Sequence, residues 1–159
     1  MKKQTNLPVQ YTGRPAVSTF MLAILAAVFI VTSAFASGEE NKTKAAVSLK
    51  RTFTNAEDVQ WKITDNYIKA SFKWNNQFIT VFYNNDGETI AESRVIEIAN
   101  LPLRAQQYLN NNYAEHEIGE VIEYNSTDAG LCYYAEVMKD GKKKILKIQT
   151  DGEISSFKP

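Results

Sequence analysis

The amino-acid sequence predicts an α+β fold in which a helix followed by three or four antiparallel strands is used twice. Three observations predict it. At an offset of 65 residues, Asn66–Ile90 overlays Leu131–Ser155, with Ala70 on Ala135 and Asp86-Gly87-Glu88 on Asp151-Gly152-Glu153. In each copy an alternating apolar run meets a two-residue turn signal, Asn75-Asn76 or Asp140-Gly141. A second alternating run and an Asp-Gly follow. Such dipeptides suit the positive φ angles of tight hairpin turns. Upstream, both copies open on apolar residues at helical spacing. Only 4 of the 25 overlaid residues are identical, so the order of the signals carries the repeat, not identity.

The elements follow in order. Lys44–Phe53 places Ala45, Ala46, Leu49 and Phe53 three and four residues apart, as one face of a helix requires. Leu101, Ala105, Tyr108, Leu109 and Tyr113 repeat the spacing. Asn100 is the expected N-cap there, with Pro102 in the first turn, where its missing N–H costs nothing. The helices overlay at an offset of 60, Leu49 on Leu109 and Phe53 on Tyr113. The second copy therefore carries five extra residues, assigned to a Ser/Thr/Asp/Gly-rich loop at Asn125–Gly130. The copies span about 44–98 and 99–159. Neither is large enough to be comfortable alone, so their sheets are expected to join or pack together.

Register sharpens the strands. A turn at Asn75-Asn76 pairs Phe72 with Ile79, Ala70 with Val81 and Ile68 with Tyr83. A turn at Asp140-Gly141 pairs Val137 with Lys144, Ala135 with Leu146 and Tyr133 with Ile148. Five of the six pairs are wholly apolar, as a core face demands, and Lys144 at a hairpin end can reach water along its stem. The opposite face then receives Tyr67, Lys69, Ser71 and Lys73 with Phe78, Thr80 and Phe82. In the second copy it receives Tyr134, Glu136 and Met138 with Lys143, Ile145 and Lys147. Lysine stands across from an apolar side chain in Lys69/Phe82, Lys73/Phe78, Tyr134/Lys147 and Met138/Lys143.

The first 36 residues read as an export signal. Lys2, Lys3 and Arg14 precede the apolar run Phe20–Val31, which is too short for a membrane span, and Ala34-Phe35-Ala36 is a small-x-small cleavage pattern. Cleavage after Ala36 is expected, with an uncleaved anchor as the alternative. Residues 37–159 then carry 15 basic and 18 acidic side chains, a net charge of −3. That balance gives no electrostatic footprint for nucleic acid or an anionic membrane. The expected location is the periplasm or the medium, with no membrane contact once the signal is removed.

Phe53-Thr54-Asn55-Ala56-Glu57-Asp58-Val59-Gln60-Trp61 resembles the F-x-x-A-x-x-V-x-W opening of the β-lactamase-inhibitor-like, PepSY-like domains, small exported proteins found largely in Bacteroidetes. The Tyr-rich strand, the Asn-Asp-Gly-Glu turn, Leu101-Pro102 and Tyr113 fall in the same order, so the resemblance runs from about Leu49 to the C-terminus. The second copy departs from it in lacking a Trp. The resemblance implies a tandem fold with the helices on one side of an antiparallel sheet, similar in architecture to secreted protein inhibitors of β-lactamase. It implies no activity.

Chemistry-bearing motifs are sparse. The sequence contains no phosphate-binding glycine loop, dinucleotide fingerprint, H-E-x-x-H or G-x-S-x-G. Asn84–Glu88 resembles the middle of an EF-hand loop, but Phe82 and Ser93 stand where ligands are required. Cys132 is the only cysteine and reads as a small buried hydrophobe. His116, the only histidine, sits in a polar turn. Glu115–Glu123 is acid-rich without a spacing that fixes a catalytic pair. Lys142-Lys143-Lys144 reads as edge protection. Asn41-Lys42-Thr43 and Asn125-Ser126-Thr127 match the glycosylation pattern, which carries no meaning in a bacterial source.

No cofactor or metal is expected. The expectation is a non-enzymatic binding or inhibitor-like module, its partner another envelope or extracellular protein. The candidate partner-binding residues are Tyr67, Lys69, Lys73, Phe78, Phe82, Tyr134, Met138 and Lys147. A PepSY-type accessory domain acting on an envelope protease or stress factor, and a small hydrolase or ligand carrier, are the alternatives.

Overall fold

The computed structural model describes residues 37–158. The export signal and its cleavage site after Ala36 lie outside them. The described residues form two helices, α1 (Ser37–Thr52) and α2 (Leu103–Asn112), and eight strands. The strands are β1 (Glu57–Ile63), β2 (Ile68–Trp74), β3 (Gln77–Tyr83), β4 (Thr89–Ile96), β5 (Glu117–Ser126), β6 (Gly130–Lys139), β7 (Lys142–Gln149) and β8 (Ile154–Phe157). They make one antiparallel sheet in which every strand pairs with its sequence neighbour, in the order β1 to β8. The class is α+β, as expected.

The register expected from the turns is the register observed. Phe72 faces Ile79, Ala70 faces Val81 and Ile68 faces Tyr83, while Val137 faces Lys144, Ala135 faces Leu146 and Tyr133 faces Ile148. Asn75, Asn76, Asp140 and Gly141 all have positive φ, as these tight turns demand. The two runs of strands join along β4 and β5, from Ala91 opposite Ser126 to Ile96 opposite Val121.

Three expectations shift. Helix α1 starts at Ser37, ahead of the apolar pattern at Lys44. Its first turns are held by polar means: Glu39 and Glu40 favour the positive end of the helix dipole, and Lys42 and Lys44 pair with them at 3.5 and 3.7 Å. Helix α2 starts at Leu103, with Pro102 rather than Asn100 at the N-cap position. Proline disfavours helical backbone in the residue before it, and Leu101 is extended (ψ 157°), so Asn100 closes a separate 3₁₀ turn, Ile98–Asn100. The five extra residues do not enlarge a loop. Asn125 and Ser126 belong to β5 and Gly130 to β6, strands of 10 residues each against 7 for β1 and β2. The free edge of β4 supplies partners for the longer hairpin, and the Thr127 amide donates to Ile90 O at 3.0 Å.

Each helix buries an apolar stripe on the sheet. Ala45 and Leu49 of α1 pack on Ile68, Ala70, Phe72, Ile79, Val81 and Tyr83. Ala105 and Leu109 of α2 pack, with Leu101, on Val121, Ala135, Val137, Leu146 and Ile148.

The Asp-Gly-Glu turns dock on the helices in matching ways. The Asn84 amide donates to Glu88 O (2.9 Å) and the Gly87 amide to Asn84 O (3.1 Å). Sixty-five residues on, Gln149 donates to Glu153 O (2.9 Å) and Gly152 to Gln149 O (2.9 Å). A side chain on either glycine would collide with a helix. A Cβ on Gly87 would lie 2.7 Å from the Lys44 carbonyl carbon, and one on Gly152 would lie 2.8 Å from Arg104 Cβ and 3.1 Å from Ala105 N.

Candidate binding face

The strand positions that alternate with the helix-packed ones form the second face of the sheet. In-register rows cross it. One runs Lys62, Lys69, Phe82, Ala91, Ser126, and the next runs Ser71, Thr80, Ser93, Tyr124, Cys132. A third runs Val95, Ile122, Tyr134, Lys147, Ser155. All four lysine–apolar pairs expected from the sequence are direct cross-strand neighbours.

The aromatic platform expected on this face is sunk into it. Phe82 is 2% exposed and Tyr134 7%, although the sequence offered both as partner-binding residues. Their neighbours close over them. The Tyr67 ring meets Phe82 edge-on at 5.6 Å, and Tyr124 and Phe157 flank Tyr134 at 6.1 and 5.1 Å. Sheet twist brings such residues from successive strands together even without a covering layer. Tyr134 joins Ile122, Cys132 and Ile145 in a buried cluster of this second face. Burial raises the pKa of the Tyr134 and Tyr124 phenols, and the neighbouring Cys132 adds to both shifts.

What remains accessible is a different set. Phe78 is exposed, and Tyr67, Lys73, Met138 and Lys147 are half-exposed. Lys69 is 9% exposed, and burial followed by the charge of Lys62 lowers its ammonium pKa. Glu136 is buried and paired with Lys143 at 2.9 Å. Ser71 and Thr80 hydroxyls hydrogen-bond at 3.0 Å.

The sequence reading missed Lys62, Tyr124 and Phe157 because it registered only the β2–β3 and β6–β7 hairpins. The alternation of Val59 and Trp61 in β1 was the available signal for Lys62, since it turns Gln60 and Lys62 to the second face.

The other candidate chemistry is placed as follows. Cys132 is buried, as expected, in the second-face cluster. His116 lies in the turn after α2, its ring 4.9 Å from Tyr113, a residue packed on the helix side. In the acid-rich stretch, Glu115 pairs with Lys139 and Glu123 with Arg94. Lys144 reaches the Tyr113 hydroxyl at 3.2 Å, with its stem directed out of the core as expected. Among the described residues no group of three or more His, Cys, Asp or Glu stands close enough to hold a metal ion, and no helix is long and apolar enough to cross a membrane.

No family model matches the chain, and no curated protein matches its sequence. Solved structures do. A BLIP-like (β-lactamase-inhibitor-protein-like) protein from Bacteroides fragilis superposes with a TM-score of 0.62 at 16% identity, covering 81% of this chain and 87% of its own. Its fold is that of a BLIP-like protein. A DUF2874 family protein from Bacteroides uniformis gives 0.63 at 16% identity, over 70% of this chain and 83% of the other. A candidate periplasmic protein from Bacteroides eggerthii gives 0.65 at 16% identity over the same shares. These likenesses bear out the β-lactamase-inhibitor-like part of the sequence resemblance at the level of fold.

Proposed function

We propose that this protein is an exported, non-enzymatic binding module, released by cleavage after Ala36, that engages another envelope or extracellular protein through the second face of its sheet. The periplasmic and BLIP-like character of its structural neighbours supports the exported part. In this reading 37–159 is one domain made of two repeats, about 44–98 and 99–159, whose helices lie together on one face. The matched turn bonds at Gly87 and Gly152, and the matched pairs Ala45/Ala105 and Leu49/Leu109, support the duplication.

The observation that carries the binding role is the state of the second face. Its apolar residues are locked by edge-on ring contacts, while Phe78, Lys73, Met138 and Lys147 stand at its surface. A surface already ordered before binding costs little to organise on contact. Sunken Phe82 and Tyr134 then act by shaping this surface, and the exposed set makes the contacts.

Capture from envelope extract, followed by hydrogen-exchange footprinting of the complex, tests the reading. A stoichiometric protein partner that protects β2, β3 and β7 is expected, with Phe78→Ala weakening it by about 2 kcal/mol if Phe78 is a hot spot. A co-purifying small molecule in place of a protein, or a footprint confined to the helices, would overturn it.

A further inference from the structure

Lys62 and Lys69 stand directly opposite one another on β1 and β2. Like charges in that relation oppose pairing of the strands. Lys69 is also 9% exposed, a degree of burial that lysine rarely reaches without a partner. Among the described residues neither lysine has a carboxylate within ion-pair distance. Acids on the same alternation lie elsewhere: Glu57 is opposite Lys73, Glu117 opposite Met138, and Glu136 opposite Ile145 and paired with Lys143.

Lys69 is flanked by rings, while Lys62 is exposed on the edge strand. Phe82 is the cross-strand neighbour of Lys69, and Tyr67 packs edge-on against Phe82. The Tyr67 hydroxyl has no hydrogen-bond partner among the described residues, although burial raises its pKa and keeps it a donor at neutral pH. Two ammonium groups and a phenol carry seven donor hydrogens, and the phenol oxygen is the single acceptor among them.

We propose that Lys62, Lys69 and Tyr67 form a receptor for a carboxylate side chain on an acidic segment of the partner protein. The inference rests on the second face being the recognition surface and names the chemistry that surface selects. An incoming carboxylate relieves the repulsion between the lysines, and the burial of Lys69 strengthens the charge-assisted hydrogen bond made there. Phe82, directly across from Lys69, and Tyr67 packed on Phe82 limit where the Lys69 ammonium can stand, so a carboxylate carried on a peptide fits better than a freely tumbling anion.

The test uses isotope-labelled protein purified after export and titrated with a decaglutamate peptide, with inorganic phosphate as the comparison. Amide shifts at Lys62, Tyr67, Lys69 and Phe82 are expected, and the Lys62→Gln/Lys69→Gln pair should weaken peptide binding about tenfold or more. Lys69→Met keeps the stem and removes the charge. It should raise the thermal midpoint of the free protein while weakening the peptide, a combination that a merely structural lysine would not give. Shifts centred on Lys142–Lys144, equal shifts with phosphate, or unchanged affinity in the double variant would each overturn the assignment. A partner whose footprint covers the face but ignores the double variant removes only the carboxylate receptor. A footprint off the face removes the binding reading itself.

Discussion

The buried core under α1 includes aromatic rings, and that under α2 is aliphatic, with Tyr113 and Tyr133 at its margin. Phe72 and Tyr83 are buried in the first half of the sheet, with Phe53, Trp61 and Trp74 packed around them. Phe53 meets Phe72 edge-on at 5.0 Å and Trp74 at 5.4 Å. The corresponding buried set in the second half is Leu101, Leu109, Val121, Val137, Leu146 and Ile148. The second half recovers its aromatics on the other face, where Tyr124, Tyr134 and Phe157 surround Ile122, Cys132 and Ile145. The first half places Lys69, Ser71, Thr80 and Ser93 at that level, with Phe82 among them. One half thus draws stability from both faces of its strands. The other concentrates it under the helix and places polar and charged side chains on the far side. In the proposed reading, recognition uses the surface that the first half does not need for its own folding.

The largest expected effects break this comparison directly. Phe72→Ala should cost about 3–5 kcal/mol, enough to unfold a domain of this size. Tyr134→Ala on the opposite face should cost a similar amount, about 3–5 kcal/mol, because its ring is buried between two others. Chemical denaturation checks both. A cost near 1 kcal/mol for Tyr134→Ala would mean that the second apolar cluster is superficial and that the halves do not differ in how they are held.

Next come the two turn glycines, which test whether the halves share a backbone mechanism. Gly87 and Gly152 have φ of 78° and 83°, and a Cβ on either would meet its helix. Gly87→Ala and Gly152→Ala should each cost about 2–4 kcal/mol, combining left-handed strain with a displaced helix. Gly141→Ala carries the same strain, with φ of 72°, but its added carbon would meet open space, so about 1 kcal/mol is expected. Equal thermal-midpoint shifts at all three positions would show that helix docking contributes nothing.

The parts of this fold legible in the sequence are those set by local rules. Alternation and positive-φ dipeptides fixed the β2–β3 and β6–β7 registers, because a one-residue slip would have turned Phe72 and Val137 to the wrong face. The start of α1 was illegible because its first turns hold no apolar stripe, only charge pairs. The long β5–β6 hairpin looked like a loop because Asn125, Ser126 and Thr127 are turn formers by composition. The edge of β4 that recruits them is a tertiary fact. The candidate site was half legible. Lysine–aromatic opposition followed from register, but the sinking of Phe82 and Tyr134 depends on rings contributed by Tyr67, Tyr124 and Phe157, whose positions only the assembled sheet brings together.

A smaller effect separates the halves by pH. Burial, then the neighbouring Glu92 charge, pushes the Tyr83 phenol up to about 12. The sign follows from where protons bind. Between pH 10 and 12 the unfolded chain loses the Tyr83 proton while the folded chain keeps it, so stability present below pH 10 is lost as pH rises through that window. The shift corresponds to roughly 2–3 kcal/mol. Tyr83→Phe should flatten alkaline unfolding between pH 10 and 12, leaving the residual slope from Tyr67, Tyr124 and Tyr134, whose phenols are also raised. A wild-type midpoint that is flat across this window would show that the first-half core is open to water at Tyr83.

The smallest expected effect lies at the seam where the halves meet. Arg94 of β4 and Glu123 of β5 are direct cross-strand neighbours, and the guanidinium grips the carboxylate with Nε at 2.7 Å and Nη2 at 3.2 Å. The two-point geometry is favourable, and the Glu123 hydrogen bond raises the Arg94 pKa. Yet the side chains are 45% and 25% exposed, so solvent screens much of the attraction and the pair still bears the entropy of holding two long chains in place. A double-mutant cycle with Arg94→Met and Glu123→Gln should therefore return a coupling of about 0.5–1 kcal/mol, falling when salt is raised toward about 1 M. The seam is then held by its backbone ladder from Ala91 to Ile96 and by apolar Val95, Ile96, Val121 and Ile122 across it. A salt-insensitive coupling above about 2 kcal/mol would instead make the ion pair the fastener between the halves. Its removal should then let α1 with β1–β4 and α2 with β5–β8 unfold in separate steps, which calorimetry would resolve as two transitions where one is expected.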